Sequence, residues 1–180
     1  SSRARIPFTP EIALVLGSGL GNYASKMEVV ERIPYGDIAG FPVSTAPGHV
    51  GQFVFGYVEG VPIVAMQGRV HYYEGYDMTD VVLPIRLMKM MGAEILFLTN
   101  AAGGIRQGFS AGDLMMITGQ IATFVPSPLR GANIAALGNR FPDMSHIYDE
   151  DLQQIIRKSA WQLDIPLRAG HYIQLQGPNY

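Results

Sequence analysis

The segment MQGRVHYYEGY begins at Met66 and follows directly on an apolar run rich in valine and isoleucine. The β-branched residues of that run predict a buried strand, which Gly68 interrupts. Arg69, His71 and Tyr73 then follow at every second position. In an extended segment this spacing directs the three side chains to one side, where a guanidinium, an imidazole and a phenol suit an anionic, oxygen-rich ligand. A solvated loop with ordinary polar side chains explains the same pattern equally well.

The composition narrows the class of protein. At 180 residues with 48% hydrophobic and 16% charged residues, the chain predicts one folded domain with a sizeable core. A net charge of −2 without a basic run argues against a nucleic-acid or anionic-membrane partner. The absence of cysteine excludes disulfides and thiolate metal sites. Without a signal-peptide pattern or an apolar run long enough to span a bilayer, a cytoplasmic protein is expected.

Two further apolar runs lead into loops of small residues. Ile12–Leu16 precedes the glycine loop GSGLG, after which a helix is expected. Ala93–Thr99, whose composition predicts a central strand, precedes NAAGG. In α/β sheets ligands gather at the carboxyl edge, where such loops leave room for them. As a dinucleotide fingerprint GSGLG fails, because its third glycine comes one residue early and no acidic residue follows at the expected distance. A tight turn that happens to contain Ser18 remains an open alternative.

The remaining pattern alternates strands with helices. Glu59-Gly60 predicts a hairpin, and apolar residues at helical spacing predict a helix that begins near Asp77 or Thr79, contains Pro84 and ends before Gly92. Together these elements predict an α/β fold, a three-layer α/β/α sandwich with a mixed central β-sheet. The other predicted segments are strands at 29–33, 52–58, 61–66, 114–118 and 167–175, a second helix at 152–163 and an irregular stretch at 124–142.

Seven stretches, in order and spread over nearly the whole chain, resemble the trimeric purine nucleoside phosphorylases. The AAGG loop and the GR-x-H-x-Y run are the most specific of them. The seven are LGSGLG (16–21), GFPVSTAPGHVG (40–51), MQGRVHYYEGY (66–76), TNAAGGI (99–105), PLRGAN (128–133), RFPDMSHIYD (140–149) and QGPNY (176–180).

This resemblance implies a nucleoside phosphorylase-like fold and a pentosyltransferase activity. A purine ribonucleoside of the inosine or guanosine kind and orthophosphate would give free base and ribose 1-phosphate. Ser18, Arg69, His71 and the backbone N–H of Ala101 correspond to phosphate-binding groups. Phosphate is then a co-substrate, and neither a metal nor another cofactor is expected.

The resemblance also implies roles on the nucleoside side. Tyr73 corresponds to a ribose contact, and Tyr180 to the aromatic residue that packs on the base. Phe141 matches the aromatic residue that a neighbouring subunit contributes, which implies a homotrimer. His49 falls in a mobile loop near the phosphate. The nucleoside pocket is lined at Asn100, Ala101, Ala102 and Gly103.

The same comparison predicts that residues 1–180 are a single but incomplete domain. The family's N-terminal helix and its base-reading residues would lie outside it, so the chain alone is expected to be inactive. Three alternatives stay open: a methylthioadenosine phosphorylase-like enzyme, a nucleotide- or dinucleotide-binding module, and a non-catalytic assembly fragment. Which purines are used, and whether deoxyribonucleosides are accepted, is not decided by these residues.

Overall fold

The computed structural model describes residues 6–44 and 51–179. It divides into two compact units, within residues 1–102 and 103–180. Each unit is described by itself below. The prediction of one incomplete domain stays a prediction.

The first unit is built on a five-stranded sheet with the order β2-β3-β4-β1-β5. Strands β2, β3 and β4 pair antiparallel, whereas β4, β1 and β5 pair parallel. The predicted α/β class with a mixed sheet is therefore confirmed. The strands are β1 (Ile12–Leu16), β2 (Glu28–Pro34), β3 (Gln52–Val58), β4 (Val61–Gln67) and β5 (Ile95–Leu98).

The hairpin between β3 and β4 forms where the sequence predicts it. Val58 pairs with Val61, and the two residues between them have positive φ angles of 49° at Glu59 and 78° at Gly60. Two consecutive left-handed residues are typical of the type I′ turn, whose twist matches that of the strands. The short turn fixes the register of β3 against β4. Neighbouring β4 side chains face opposite sides of the sheet, as in any strand.

Both faces of this sheet are covered. On one face a cluster that includes Val15, Phe53 and Met66 packs against Met88 of helix α1 (Met78–Met90). On the other face Leu14, Val54 and Ala65 pack with Ala24 and Met27. The predicted helix is confirmed, with Pro84 inside it, Asp77 as N-cap and Gly92 just beyond its end at a φ of 116°.

One prediction about the first unit is wrong, and another is met only in part. The helix predicted after the glycine loop is a six-residue 3-10 helix, Gly21–Lys26. So short a helix sums few peptide dipoles, which weakens the case for a dinucleotide site there. Strand β5 was predicted to be central, yet it lies at the edge of the five-stranded sheet, and its residues Leu96, Phe97 and Leu98 are exposed.

The second unit contains a parallel pair, β6 (Leu114–Ile121) and β7 (Leu167–Ile173), joined by helix α2 (Glu150–Gln162). The Asp149 carboxylate caps α2 by accepting a hydrogen bond from the Leu152 N–H at 2.9 Å. Residues 124–142 are irregular as predicted, apart from a 3-10 turn at Ala135–Leu137. No helix in the described parts of either unit combines the length and apolar character needed to cross a membrane.

Candidate active site

Three loops leave the first sheet side by side. In the parallel part of the sheet Val15 pairs with Met66 of β4 on one side and with Leu98 of β5 on the other. The carboxyl ends of the three strands therefore lie at one edge. Three loops start at this edge, at Gly17, Gly68 and Thr99. The first carries Ser18, the second carries Arg69 and His71, and the third carries Asn100, Ala101 and Ala102.

The first and third loops touch through their backbones. A Cβ atom added at Gly17 would lie 2.5 Å from the Thr99 carbonyl oxygen and 2.7 Å from the Asn100 Cα. The Gly17 N–H donates to Thr99 Oγ1 at 2.9 Å, and that hydroxyl donates to the Val15 carbonyl at 2.7 Å. Only glycine permits this approach, so the GSGLG sequence is required for packing as well as for the turn.

Ser18 stands at the corner of a tight turn. The Leu20 N–H donates to the Gly17 carbonyl at 3.0 Å, and Gly19 has a φ of 83°. A positive φ at the third residue is typical of a type II turn, which places Ser18 at the second position. Its side chain is exposed, in the loop next to the one that carries Ala101.

Arg69 connects the second loop to the third. Its guanidinium Nη1 donates to the Thr99 carbonyl oxygen at 3.1 Å, and the residue is half-buried. The contact holds a cation beside the backbone that leads to Ala101. Asn100 is exposed and donates from Nδ2 to the Ala101 carbonyl at 3.3 Å.

The extended alternation predicted for Arg69, His71 and Tyr73 ends at His71. Residues Tyr72–Glu74 form a 3-10 turn, so Tyr73 does not continue the strand pattern. The His71 and Tyr73 rings nevertheless stack, with their centroids 4.9 Å apart and their planes at 20°. Tyr73 is about half exposed.

Glu74 is a site residue that sequence reasoning missed. Its Oε1 lies 2.7 Å from His71 Nδ1 and accepts the His71 backbone N–H at 2.9 Å, while Ser44 donates to Oε2 at 3.2 Å. The Glu74 side chain is 3% exposed. An ionised carboxylate only accepts hydrogen bonds, so the ring proton is on Nδ1. His71 Nε2 is then an acceptor in the neutral ring and a donor in the imidazolium.

The sequence contained a signal for Glu74. Histidine followed three residues later by glutamate is the spacing of a capping box, in which the two residues exchange hydrogen bonds across the first turn of a helix. Gln67, at the end of β4, was missed without such a signal. Its Nε2 donates to the Gly21 carbonyl at 2.9 Å and its Oε1 accepts from Gln52 at 2.7 Å.

Four further site residues are predicted from the sequence. His49 and Tyr180 are outside the described residues. Gly103 and Phe141 belong to the second unit, where the Phe141 side chain is 88% exposed with the Arg140 guanidinium carbon 6.0 Å from its ring centre. Among residues 6–44 and 51–179, no group of three histidine or acidic side chains is arranged to hold a metal ion.

Nearly the whole chain is similar to a family of known proteins. The sequence model of the phosphorylase superfamily matches residues 11–180. Purine nucleoside phosphorylase 1 of Bacillus subtilis is 50% identical over 178 residues, which cover 99% of this chain and 66% of that protein. The Bos taurus purine nucleoside phosphorylase is 42% identical over 176 residues, covering 95% of this chain and 61% of the bovine protein.

Solved structures agree with the sequences. Isoform 2 of the Schistosoma mansoni purine nucleoside phosphorylase, in complex with cytosine and ribose-1-phosphate, superposes with a TM-score of 0.90 at 42% identity. The match covers 99% of this chain and 65% of that one. The chain thus spans somewhat less than two thirds of the length of these relatives. It belongs to the phosphorylase superfamily, among the purine nucleoside phosphorylases.

Proposed function

We propose that the protein to which this chain belongs catalyses phosphorolysis of purine ribonucleosides. The relatives described above carry the name purine nucleoside phosphorylase, and one was solved with ribose-1-phosphate. In the reaction the bond between C1′ and the purine nitrogen breaks, and its electron pair leaves with the base. A phosphate oxygen forms the new bond to C1′. The hydrogen phosphate loses a proton and the base gains one, so the products are ribose 1-phosphate and the neutral base.

The observation that carries the proposal is the junction of three loops at the carboxyl edge of β1, β4 and β5. It brings together the loops of Ser18, Arg69 and Ala101, which supply a hydroxyl, a guanidinium anchored at Thr99 and backbone N–H groups. All three are donors suited to a phosphate dianion. Loops fixed by backbone contact at Gly17 hold these donors in place before the anion arrives, which lowers the cost of ordering them on binding.

His71 adds a donor that depends on its protonation state. With Nδ1 committed to Glu74, Nε2 donates to phosphate only in the imidazolium form.

The remaining roles in the proposal rest on the family resemblance. Tyr73, which stacks on His71, contacts the ribose, and Phe141 contributes to the site of a neighbouring subunit in a homotrimer. No cofactor takes part, and the protein works in the cytoplasm. The nucleoside pocket is lined by Asn100, Ala101, Ala102, Gly103 and Tyr180, with His49 in a loop near the phosphate.

The test is phosphate binding and inosine turnover in the full-length protein that contains these residues. Arg69→Ala is expected to weaken phosphate binding about 10- to 100-fold, because a hydrogen bond to a charged group contributes about 1.5–3 kcal/mol. Arg32→Ala removes an equal charge from exposed strand β2 and serves as the control. Isothermal titration calorimetry measures the phosphate affinity of both variants.

Two outcomes would contradict the proposal. One is equal phosphate affinity in the Arg69→Ala and Arg32→Ala variants. The other is release of hypoxanthine from inosine at the same rate with and without phosphate. Turnover of methylthioadenosine in preference to inosine would instead favour the methylthioadenosine phosphorylase alternative.

A further inference from the structure

Tyr35 is a buried residue whose hydroxyl bonds to the backbone of the second loop of the candidate site. The residue is 1% exposed, and its ring packs against Phe41 and Phe53 with centroid distances of 4.8 and 5.1 Å. Its hydroxyl donates to the Gly68 carbonyl at 2.7 Å, across 33 residues of sequence. Gly51 also lies close to the ring, since an added Cβ there would be 2.6 Å from it.

Packing alone does not require a hydroxyl at this position. A phenylalanine would fill the same space between two aromatic rings, and a buried hydroxyl costs free energy unless it is paired. Here it is paired with the carbonyl that directly precedes Arg69. Burial raises the pKa of the Tyr35 phenol, so the group remains a hydrogen-bond donor at every physiological pH.

The Gly68 carbonyl belongs to the peptide unit that starts the Arg69 backbone. Gly68 has a φ of 82°, in the left-handed region, and because glycine lacks a Cβ it restricts the ψ that orients the following peptide less than any other residue does. In a trans peptide the carbonyl and the following N–H point in opposite directions. A bond that fixes the Gly68 carbonyl on the core side therefore also fixes the direction of the Arg69 N–H and the start of its side chain.

We propose that Tyr35 is a positioning residue for Arg69. Its hydroxyl holds the Gly68–Arg69 peptide in the one orientation from which the guanidinium reaches both the Thr99 carbonyl and the anion. Without the hydroxyl, Gly68 is free to rotate, and the guanidinium spends part of its time away from the site. This inference rests on the proposed phosphate site and adds a residue to it that does not touch phosphate.

The test is a double-mutant cycle on phosphate affinity in the full-length protein. Tyr35→Phe is expected to weaken phosphate binding about fivefold to tenfold, within the usual range for one lost hydrogen bond. In an Arg69→Ala background the same change should have no further effect, because Tyr35 acts only through Arg69. Phe53→Leu is the control: it loosens the packing around the Tyr35 ring but leaves the hydroxyl, so it should lower the melting temperature and leave phosphate affinity unchanged.

The outcomes separate the two proposals. If Arg69→Ala weakens phosphate binding and Tyr35→Phe does not, the positioning role is overturned and the phosphate site stands. If Tyr35→Phe weakens binding equally with and without Arg69, its effect is general and the positioning role is again overturned. If Arg69→Ala changes nothing, the phosphate site itself is wrong. Should Tyr35→Phe fail to fold, Gly51→Ala, which displaces the ring but keeps the hydroxyl, must weaken phosphate binding for the inference to survive.

Discussion

The two units of the chain bury their apolar side chains to very different extents. Among the described residues, every buried hydrophobic side chain except Met116 lies in the first unit. The second unit instead exposes large apolar side chains, with Phe141 at 88% and Trp161 at 83%. The loops of the candidate phosphate site are thus held by the unit that has its own core, whereas Phe141 and Trp161 are almost fully exposed in the second unit.

The loops of the candidate site and part of the irregular stretch in the second unit are held by different hydrogen bonds. In the first unit, contacts between residues 82 or more positions apart join Val15 and Gly17 to Thr99. In the second unit, the part of the irregular stretch around Arg140 is closed locally, where its guanidinium donates to the carbonyls of Leu129 at 3.0 Å and Gly131 at 2.6 Å. Precise placement of donors therefore depends on long-range contacts in the first unit.

The largest expected difference between the units comes from truncating one aromatic side chain in each. Phe55 is fully buried in the first core, so Phe55→Ala should lower the free energy of unfolding by about 3–5 kcal/mol. Trp161→Ala, on the exposed side of α2, should change it by less than about 0.5 kcal/mol. Urea denaturation followed by circular dichroism measures both. A comparable loss in the two variants would mean that Trp161 is buried by association with another chain. The difference in burial between the two units would then hold only for the isolated chain.

A smaller loss of stability is expected from a substitution at Gly17, where the first and third loops touch. Gly17→Ala places a methyl group within 2.5 Å of the Thr99 carbonyl, and overpacking of this kind costs about 1–3 kcal/mol. Phosphate binding should weaken in the same variant, because the crossing sets the spacing between Ser18 and Ala101. Gly36→Ala is the matched control, since nothing lies within 4 Å of its added Cβ. Equal stability and affinity in the two variants would show that the loops adjust at no cost.

Much of the first unit could be predicted from local pattern. The hairpin at Glu59-Gly60 and helix α1 depend on residues close in sequence, and both form where expected. The edge position of β5 could not be predicted, because strand order depends on which strands pair. An apolar run of that length is equally compatible with a central strand or an edge strand.

The residues of the candidate site also form two groups: those that the sequence pattern identified and those that it did not. Arg69 and His71 could be identified because they follow a strand at a regular spacing. Tyr35 and Gln67 could not, since each acts through a backbone carbonyl more than 30 positions away, and any residue type offers that carbonyl. A side chain that bonds to a distant backbone carbonyl leaves no periodic signal in a single sequence.

The smallest expected effect is the pH dependence of the second unit. Asp113 accepts the Ser110 backbone N–H at 3.0 Å and the Arg168 Nε–H at 2.7 Å. The Ser110 hydrogen bond first, and then Arg168, hold the pKa of this carboxyl below its usual value of 3.8. A carboxyl whose pKa is lower in the folded state stabilises the fold above its unfolded pKa, and this contribution disappears as the pH falls through the folded value.

Asp113→Asn should therefore be less stable than the wild type near neutral pH, and the gap should close at a pH below the usual range of the carboxyl. The gap should be small because Asp113 lies at the protein surface, where solvent screens its charge. Urea midpoints at about pH 7 and about pH 3 measure it, with Glu94→Gln as an exposed control from the first unit. A gap of the same size at both pH values would show that the hydrogen-bonding shape of the side chain matters here and its charge does not.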